Sequence, residues 1–186
     1  GARPGRRVTC MPSGNADPTM SAWVNPTSFE GRNWAQATIG GWGEPERGQK
    51  PNMGLSYFTM TGRGQPRFHL YGFDPRCDSL LPRNEWRHVA LAVSGDMVRF
   101  YVDGILERTI NNNGEEVRKL GTLRTPVSTA VDLGDHGNGR GPFNGALDEV
   151  RFESVARSAN WLKLCYENQK PLQLLVGPLV RDGDEF

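Results

Sequence analysis

The sequence predicts an all-β chain of antiparallel strands with one short helix near its C-terminal end. Apolar residues alternate with other residues over 87–93 and 98–103, which is the period-two pattern of strands that bury one face. The chain has 23 Gly and 13 Pro among 186 residues, as a protein of many short strands and turns requires. An apolar stripe at helical spacing follows Ser158, which stands in the position of an N-cap.

The strongest strand signals lie between Asn84 and Leu106. Two apolar alternations flank the short turn at Ser94-Gly95-Asp96. The dipeptide Asp103-Gly104 follows the second alternation, and it favours a type I′ hairpin turn, which needs positive φ at both central residues. The segment therefore predicts consecutive antiparallel strands with one face on a core.

Further elements follow from shorter runs and from turn residues. The expected strands are Val8–Met11, Met20–Val24, Ala37–Trp42, Leu55–Met60, Arg67–Phe73, Thr129–Leu133, Ala146–Phe152 and Leu172–Val180, and the expected helix is Ser158–Gln169. Asn25-Pro26 is expected to end its strand, because proline has no backbone donor. We expect one domain over residues 1–186, with 1–7 flexible and 171–186 as a terminal strand and tail.

The charge balance excludes two classes of partner. With 22 basic and 21 acidic residues the net charge is +1, which gives no electrostatic case for nucleic acid or an anionic membrane. No apolar run approaches the roughly 20 residues of a membrane-spanning helix, so no membrane insertion is expected. The chain starts at Gly1 without a signal peptide, which suggests a mature product or an excised domain.

The three cysteines leave the redox compartment open. Cys165 falls on the apolar side of the predicted helix and is expected to be a small buried hydrophobe. Cys10 and Cys77 either pair, if the protein is exported, or stay reduced.

Three segments together resemble a known fold family. Trp86-Arg87-His88-Val89-Ala90 with Phe100-Tyr101-Val102-Asp103-Gly104, the early Met20–Pro26 strand and the closing Pro142–Phe152 strand are similar to the signatures of laminin-G-like, concanavalin-A-like jelly rolls of the bacterial type. The resemblance covers Met20 to Gln169. It implies a two-sheet antiparallel β-sandwich, a jelly roll, with the short helix after the closing strand. Trp23, Trp86 and Trp161 lie in patterned elements, and we expect them in the core.

Two glutamates on the closing strand suggest an enzyme, and the residue between them argues against it. Glu149 and Glu153 flank Arg151 at spacings of two. Jelly-roll glycoside hydrolases of the laminarinase and agarase kind carry Asp near this middle position. A fixed cation holds both carboxylates ionised, whereas a general acid must keep its proton. The pattern favours a salt-bridged surface ladder.

Asp148 is the candidate metal ligand. Its alternation with Val150 and Phe152 predicts that the carboxylate points inward, where it needs backbone donors, a cation or a metal. Jelly rolls of the family that the chain resembles often bind calcium near the sandwich rim. One alternative is therefore a calcium ion held by Asp148 with oxygen ligands from the neighbouring loop, namely Asp132, Asp135 and Asn138. The other is that Asp148 caps loop amides.

Aromatic residues in or beside loops and on exposed strand faces are the candidate sugar ligands. An exposed ring beside an arginine would form a sugar platform. The residues that fit this description are Trp34, Trp42, Tyr57, Arg67 and Tyr71.

The functional expectation is a non-catalytic binding module that recognises carbohydrate or a cell-surface partner. We expect it to be part of a larger extracytoplasmic protein, located outside the cell, in the periplasm or on the cell surface. The alternative is a structural subdomain that docks onto other domains of its parent protein, and a glycoside hydrolase or lyase is the third reading. An aromatic-lined groove favours binding, and a flat exposed apolar patch favours docking.

Overall fold

The computed structural model describes residues 11–12, 16–29, 31–32, 35–43, 55–70, 75–95, 97–111, 131–135 and 141–170. These residues form eleven strands and one helix. The strands are β1 (Thr19–Ser28), β2 (Gly31–Arg32), β3 (Ala35–Gln36), β4 (Thr38–Gly43), β5 (Leu55–Met60), β6 (Pro66–Leu70), β7 (Arg87–Ser94), β8 (Met97–Val102), β9 (Ile105–Asn111), β10 (Val131–Leu133) and β11 (Asn144–Glu153), and the helix is α1 (Ala159–Gln169).

The strands form two main antiparallel sheets. The larger sheet has the order β11-β1-β7-β8-β9, the second has the order β10-β4-β5-β6, and β2 and β3 form a small separate pair. Strand β1 lies between β7 and β11, which are far from it in sequence, so the pairing is non-local. The predicted two-sheet β-sandwich with one short helix is confirmed.

The core lies between the two sheets. The larger sheet contributes alternate residues of β1, β7 and β8, and the smaller one contributes mainly aromatic and long aliphatic side chains. The fully buried large residues of this core are Trp42, Phe58, Phe68, Phe100, Met20, Ile39, Met60 and Leu91. Phe58 and Phe68 are direct cross-strand partners. The alternating apolar residues that the sequence showed on β7 and β8 therefore form the face that packs in the core.

Helix α1 covers the outer face of the larger sheet. Leu162 is fully buried there against Ala90, Ala92 and Tyr101. The small side chains of the two alanines let the helix approach the strands closely. Ser158 is the N-cap, and its hydroxyl accepts a hydrogen bond from the backbone N of Trp161 at 3.2 Å. The faces of β7 are thus both buried, one by the opposite sheet and one by the helix.

The turn at Asp103-Gly104 has the predicted geometry. Its φ angles are 51° and 74°, and Val102 pairs with Ile105 across it. Positive φ at both residues is what a type I′ turn requires.

Strand β11 contains a β-bulge that the sequence did not reveal. Ser21 pairs with Arg151 but Trp23 pairs with Asp148, so β11 uses one residue more than β1 at this point. Glu149 has φ of 50°, in the left-handed region, and is the extra residue. The bulge reverses the alternation: Leu147 and Val150 both pack against the core. The expectation that Asp148 points inward is therefore wrong, and Asp148 is exposed.

Strand β1 is longer than expected. It continues through Pro26 to Ser28 and pairs with β11 there, while its pairing with β7 ends at Val24. With only one neighbouring strand beyond Val24, the missing donor of Pro26 is tolerated.

The structure describes two of the three cysteines. Cys77 is fully buried and carries a free thiol, and Cys165 is half-buried, while Cys10 lies outside the described residues. The expected Leu172–Val180 strand and most of the expected Val8–Met11 strand lie outside the described residues.

In the part of the chain that the structure describes, no helix has the length and apolar character needed to cross a membrane.

Candidate ligand-binding site

A pocket of about 330 Å³ lies on the outer face of the larger sheet, beside the C-terminal end of α1. Its lining residues are Trp23, Trp86, Asp148, Glu149 and Gln169. They come from β1, the segment before β7, the bulge of β11 and the last residue of the helix. The volume is at the lower end of the range for small-molecule sites, about 300–1,000 Å³.

Trp23 is held rigidly in the pocket. Its indole Nε1 donates a hydrogen bond to Oε1 of Gln169 at 2.8 Å. Its ring stacks on Tyr166, with centroids 5.7 Å apart, and meets His88 edge-on at 5.5 Å. Trp23 is consequently 8% exposed and offers a fixed ring surface with its N–H already used.

His88 packs edge-on against Trp23 and does not itself line the pocket. Burial is the main cause that lowers the pKa of His88 to about 4. The carboxylate of Asp103 raises this pKa by a smaller amount, and the guanidinium of Arg151 lowers it further. The imidazole is therefore neutral near neutral pH.

Trp86 was expected in the core, and this expectation is wrong. The residue is 43% exposed. It precedes β7, which begins at Arg87, so strand pairing does not hold it against the opposite sheet. A tryptophan ring that is exposed beside a pocket can stack on a ligand.

Asp148 and Glu149 form the acidic wall of the pocket. Oδ1 of Asp148 accepts a hydrogen bond from the backbone N of Glu149 at 2.8 Å, which stabilises the left-handed residue of the bulge. The Glu149 carboxylate pairs with the guanidinium of Arg151. Within the described residues Asp148 has no ion-pair partner, so it keeps a free carboxylate oxygen at the pocket.

The salt-bridged ladder expected on β11 is confirmed for Glu149 and Arg151 only, because Glu153 pairs with Arg157 after the strand and not with Arg151. Glu149 pairs with Arg151, and Glu153 pairs with Arg157, whose Nε lies 2.7 Å from Oε1.

Two of the predicted sugar ligands are buried. Trp42 is 1% exposed, its Nε1 donates to the carbonyl oxygen of Pro12 at 2.8 Å, and its ring packs edge-on against Phe152. Arg67 is also buried, with its Nε 3.1 Å from Oγ1 of Thr59. Neither offers a surface to a ligand, so their assignment is corrected.

The other three predicted sugar ligands keep the status of predictions. The backbone of Tyr57 pairs with His69 between β5 and β6, away from the pocket on the larger sheet. Trp34 and Tyr71 lie outside the described residues.

Among the described residues, the predicted calcium ligands Asp132 and Asp135 do not form a cluster with Asp148. A Cβ built on Gly134 would lie 3.9 Å from Cδ1 of Leu147, so Leu147 faces the segment that carries Asp135 and the adjacent Asp148 faces away from it. No group of three or more His, Cys, Asp or Glu side chains in the described ranges could hold a metal ion. Calcium bound by Asp132, Asp135 and Asn138 stays a prediction, since Asn138 lies outside those ranges.

Sequence reasoning missed most of this pocket. Gln169 reaches it only because α1 docks on β1, and the exposure of Trp86 depends on where β7 starts. The one usable signal was the position of Trp86 before the alternating run of β7.

Two antiparallel sheets, with the closing strand β11 beside β1 and a helix on the outer face, define the protein class as a concanavalin A-like β-sandwich. The family model of the concanavalin A-like lectin/glucanases superfamily matches residues 7–163, and the chain belongs to this family.

Solved structures from several organisms share the fold at low sequence identity. Domain 4 of AbnA, an extracellular arabinanase from Geobacillus stearothermophilus solved with arabinotriose, is 19% identical, with 86% of this chain and 70% of that chain covered and a TM-score of 0.59. The CBM40 of the IT-sialidase from Ruminococcus gnavus is 16% identical, with 82% and 84% covered and a TM-score of 0.62. A SAP-like pentraxin from Limulus polyphemus is 15% identical, with 87% and 76% covered and a TM-score of 0.59. No curated protein matches the chain.

Proposed function

We propose that this protein is a non-catalytic carbohydrate-binding module and that the pocket beside Trp86 binds the sugar. The observation that carries the proposal is an exposed tryptophan in a pocket whose other walls are two carboxylates, an amide and the fixed ring of Trp23. Similar folds have been solved with arabinotriose and with sialyllactose, which supports a sugar as the ligand class.

The pocket has the groups that sugar recognition requires. A sugar ring presents C–H groups on its faces, which pack against an aromatic ring, and hydroxyls at its edge. The Trp86 ring supplies the apolar surface. The free oxygen of Asp148 accepts from hydroxyls, and the amide nitrogen of Gln169 donates, because its Oε1 already accepts from Trp23. Few polar groups around an apolar surface are typical of ligand pockets.

The arrangement of charges supports binding without catalysis. A glycosidase needs one carboxyl that stays protonated and a second that stays ionised. Of the two glutamates on β11 only Glu149 lines the pocket, so the two carboxyls do not face a common ligand there.

A position in a larger extracytoplasmic protein is part of the proposal. A similar fold is domain 4 of an extracellular arabinanase, which supports a module attached to other domains and located outside the cell, in the periplasm or on the cell surface.

A glycan array with the purified chain tests the proposal. We expect selective binding to a subset of glycans by the native chain and loss of that binding by Trp86→Ala. Leu80→Ala is the matched control, because Leu80 is an exposed apolar residue that does not line the pocket. An array without any selective signal, or signals that survive Trp86→Ala, would contradict the proposal.

The docking alternative has weaker support. The exposed large apolar residues of the described chain fall on several elements, among them Leu80, Ile105, Leu133, Val155 and Leu164. Single exposed apolar residues are normal on a protein surface, and no flat apolar patch is needed to explain them.

A further inference from the structure

We infer that the pocket selects sugars that carry a positively charged amino group, in preference to neutral, N-acetylated or acidic sugars. This inference rests on the proposed function and adds the ligand class. It depends on the charges around the pocket and on the position of one aromatic ring.

The pocket carries a net negative charge. Its lining contains two carboxylates and no lysine or arginine. The carboxylate of Glu149 is compensated by Arg151, a neighbour on the same strand. Asp148 lacks such compensation among the described residues and is exposed at the pocket. One uncompensated negative charge is therefore presented to a ligand.

The aromatic wall favours the same kind of ligand. An ammonium group within about 6 Å of a tryptophan ring is attracted by the negative face of the ring, and tryptophan is the strongest of the aromatic residues in this respect. Trp86 and Asp148 line the same pocket, so an ammonium group can meet the ring and the carboxylate together. Both contacts depend on the positive charge.

The same groups disfavour other sugars. N-acetylation removes the charge of the amine and with it both attractions. An acidic sugar such as sialic acid would bring its carboxylate into the same pocket as Asp148, and like charges repel. We therefore expect this pocket to bind sialyllactose poorly, although a similar fold has been solved with that ligand.

The structure allows the charge to be removed without disturbing the bulge. Asp148 uses Oδ1 to accept from the backbone N of Glu149, and asparagine retains this acceptor. Asp148→Asn should fold like the native chain while it loses the negative charge. Glu107→Gln is the matched control, because Glu107 is an exposed acid on β9 that does not line the pocket.

Calorimetric titration with three oligosaccharides of equal length tests the inference. The probes are a glucosamine oligomer with free amines, its fully N-acetylated form and a glucose oligomer, at a pH at which the amines carry their proton. We expect the amine oligomer to bind about tenfold more tightly than the other two, from one exposed cation–π contact and one ion pair. We expect this preference to fall with added salt, to shrink in Asp148→Asn to the smaller part that the Trp86 ring contributes, and to persist in full in Glu107→Gln.

The outcomes separate the two proposals. Equal affinity for all three oligomers would overturn the amine selectivity and leave a sugar-binding module. A preference that is undiminished in Asp148→Asn, or that shrinks equally in Glu107→Gln, would show that the charge acts elsewhere and would overturn the inference as well. A chain that binds no oligomer and no glycan on the array would remove the proposed function itself.

Discussion

Asp103 and His88 exchange two hydrogen bonds across neighbouring strands. The backbone N of His88 donates to Oδ1 of Asp103 at 3.0 Å, and the backbone N of Asp103 donates to the carbonyl oxygen of His88 at 2.8 Å. Oδ2 of Asp103 also pairs with Arg87 at 2.6 Å. One turn residue thus fixes the start of β7, and with it the position of Trp86 directly before that strand.

Gly104 is expected to tolerate no side chain. An added Cβ would lie 2.9 Å from Cα of Lys163, which is helix backbone, and φ is 74°. Gly95 has φ of 53° and nothing within 4 Å of such a Cβ. We expect Gly95→Ala to cost about 1–2 kcal/mol from the left-handed conformation alone and Gly104→Ala to cost more, because α1 must also shift. Urea unfolding of both variants checks this, and equal losses would mean that the helix does not press on the turn.

Glu149 is expected to be a strained position at which glycine is better than alanine. Both changes remove the ion pair with Arg151, so the comparison isolates the backbone. Since φ is 50°, we expect Glu149→Gly to be about 1–2 kcal/mol more stable than Glu149→Ala. Chemical denaturation of the two variants measures the difference. Alanine equal to or better than glycine would argue against the bulge.

Thr19 connects the first strand to the segment before the helix. Its Oγ1 donates to the carbonyl oxygen of Val155 at 2.7 Å and accepts from the backbone N of Arg157 at 2.8 Å. Thr19→Val retains the shape but leaves both backbone groups without this partner, so we expect a loss of about 1–3 kcal/mol. Thr109→Val, at an exposed position of β9, should stay within about 0.5 kcal/mol in the same thermal and urea melts. Similar losses in the two variants would indicate that Thr19 does not stabilise this link.

The stability of the protein should rise with pH through the titration of His88. The folded-state pKa of about 4 lies below the ordinary value of 6.5, mainly because of burial, so between these values the unfolded chain binds more protons. The stabilisation is complete above the ordinary pKa and is lost as pH falls toward the folded-state pKa. The shift corresponds to a change of up to roughly 3 kcal/mol.

Urea melts across this pH window measure the contribution. His88→Phe retains an aromatic ring beside both Trp23 and Tyr166 and cannot titrate, so we expect a smaller slope of stability against pH. An unchanged slope would assign the pH dependence to other groups.

The calcium prediction can now be tested in a narrower form. If Asp132, Asp135 and Asn138 bind calcium, the melting temperature rises with added calcium. A calcium concentration a hundredfold above the dissociation constant increases the free energy of unfolding by about 2.7 kcal/mol. Asp148→Asn should leave this rise unchanged, since Asp148 faces away from the segment of Asp135. Coincident melts in calcium and in chelator would remove the metal from consideration.

The parts of the fold that the sequence predicted depend on local chemistry. The Asp103-Gly104 turn, the alternation on β7 and the cap at Ser158 are each read within a few residues. The bulge at Glu149 has no such signal, because it exists only in the register between β1 and β11.

The pocket was hidden from the sequence for a related reason. It joins residues that are far apart along the chain, and only the docking of α1 against β1 brings Gln169 to Trp23. Trp42 was misjudged because its position near a loop suggested exposure, whereas the sheet turns its ring into the core.

The single extra residue in β11 divides this strand into two parts that can vary separately. Val150 and Phe152, after the bulge, pack in the core. Asp148 and Glu149, at and before it, face solvent at the pocket. Substitutions of Asp148 and Glu149 can therefore alter which ligand is recognised without a repacking of the interior, whereas Leu147 in the same half of the strand packs against the core. A relative that lost the extra residue would return to a regular alternation, which would turn position 148 to the core side with Val150 and Phe152 and remove its carboxylate from the pocket.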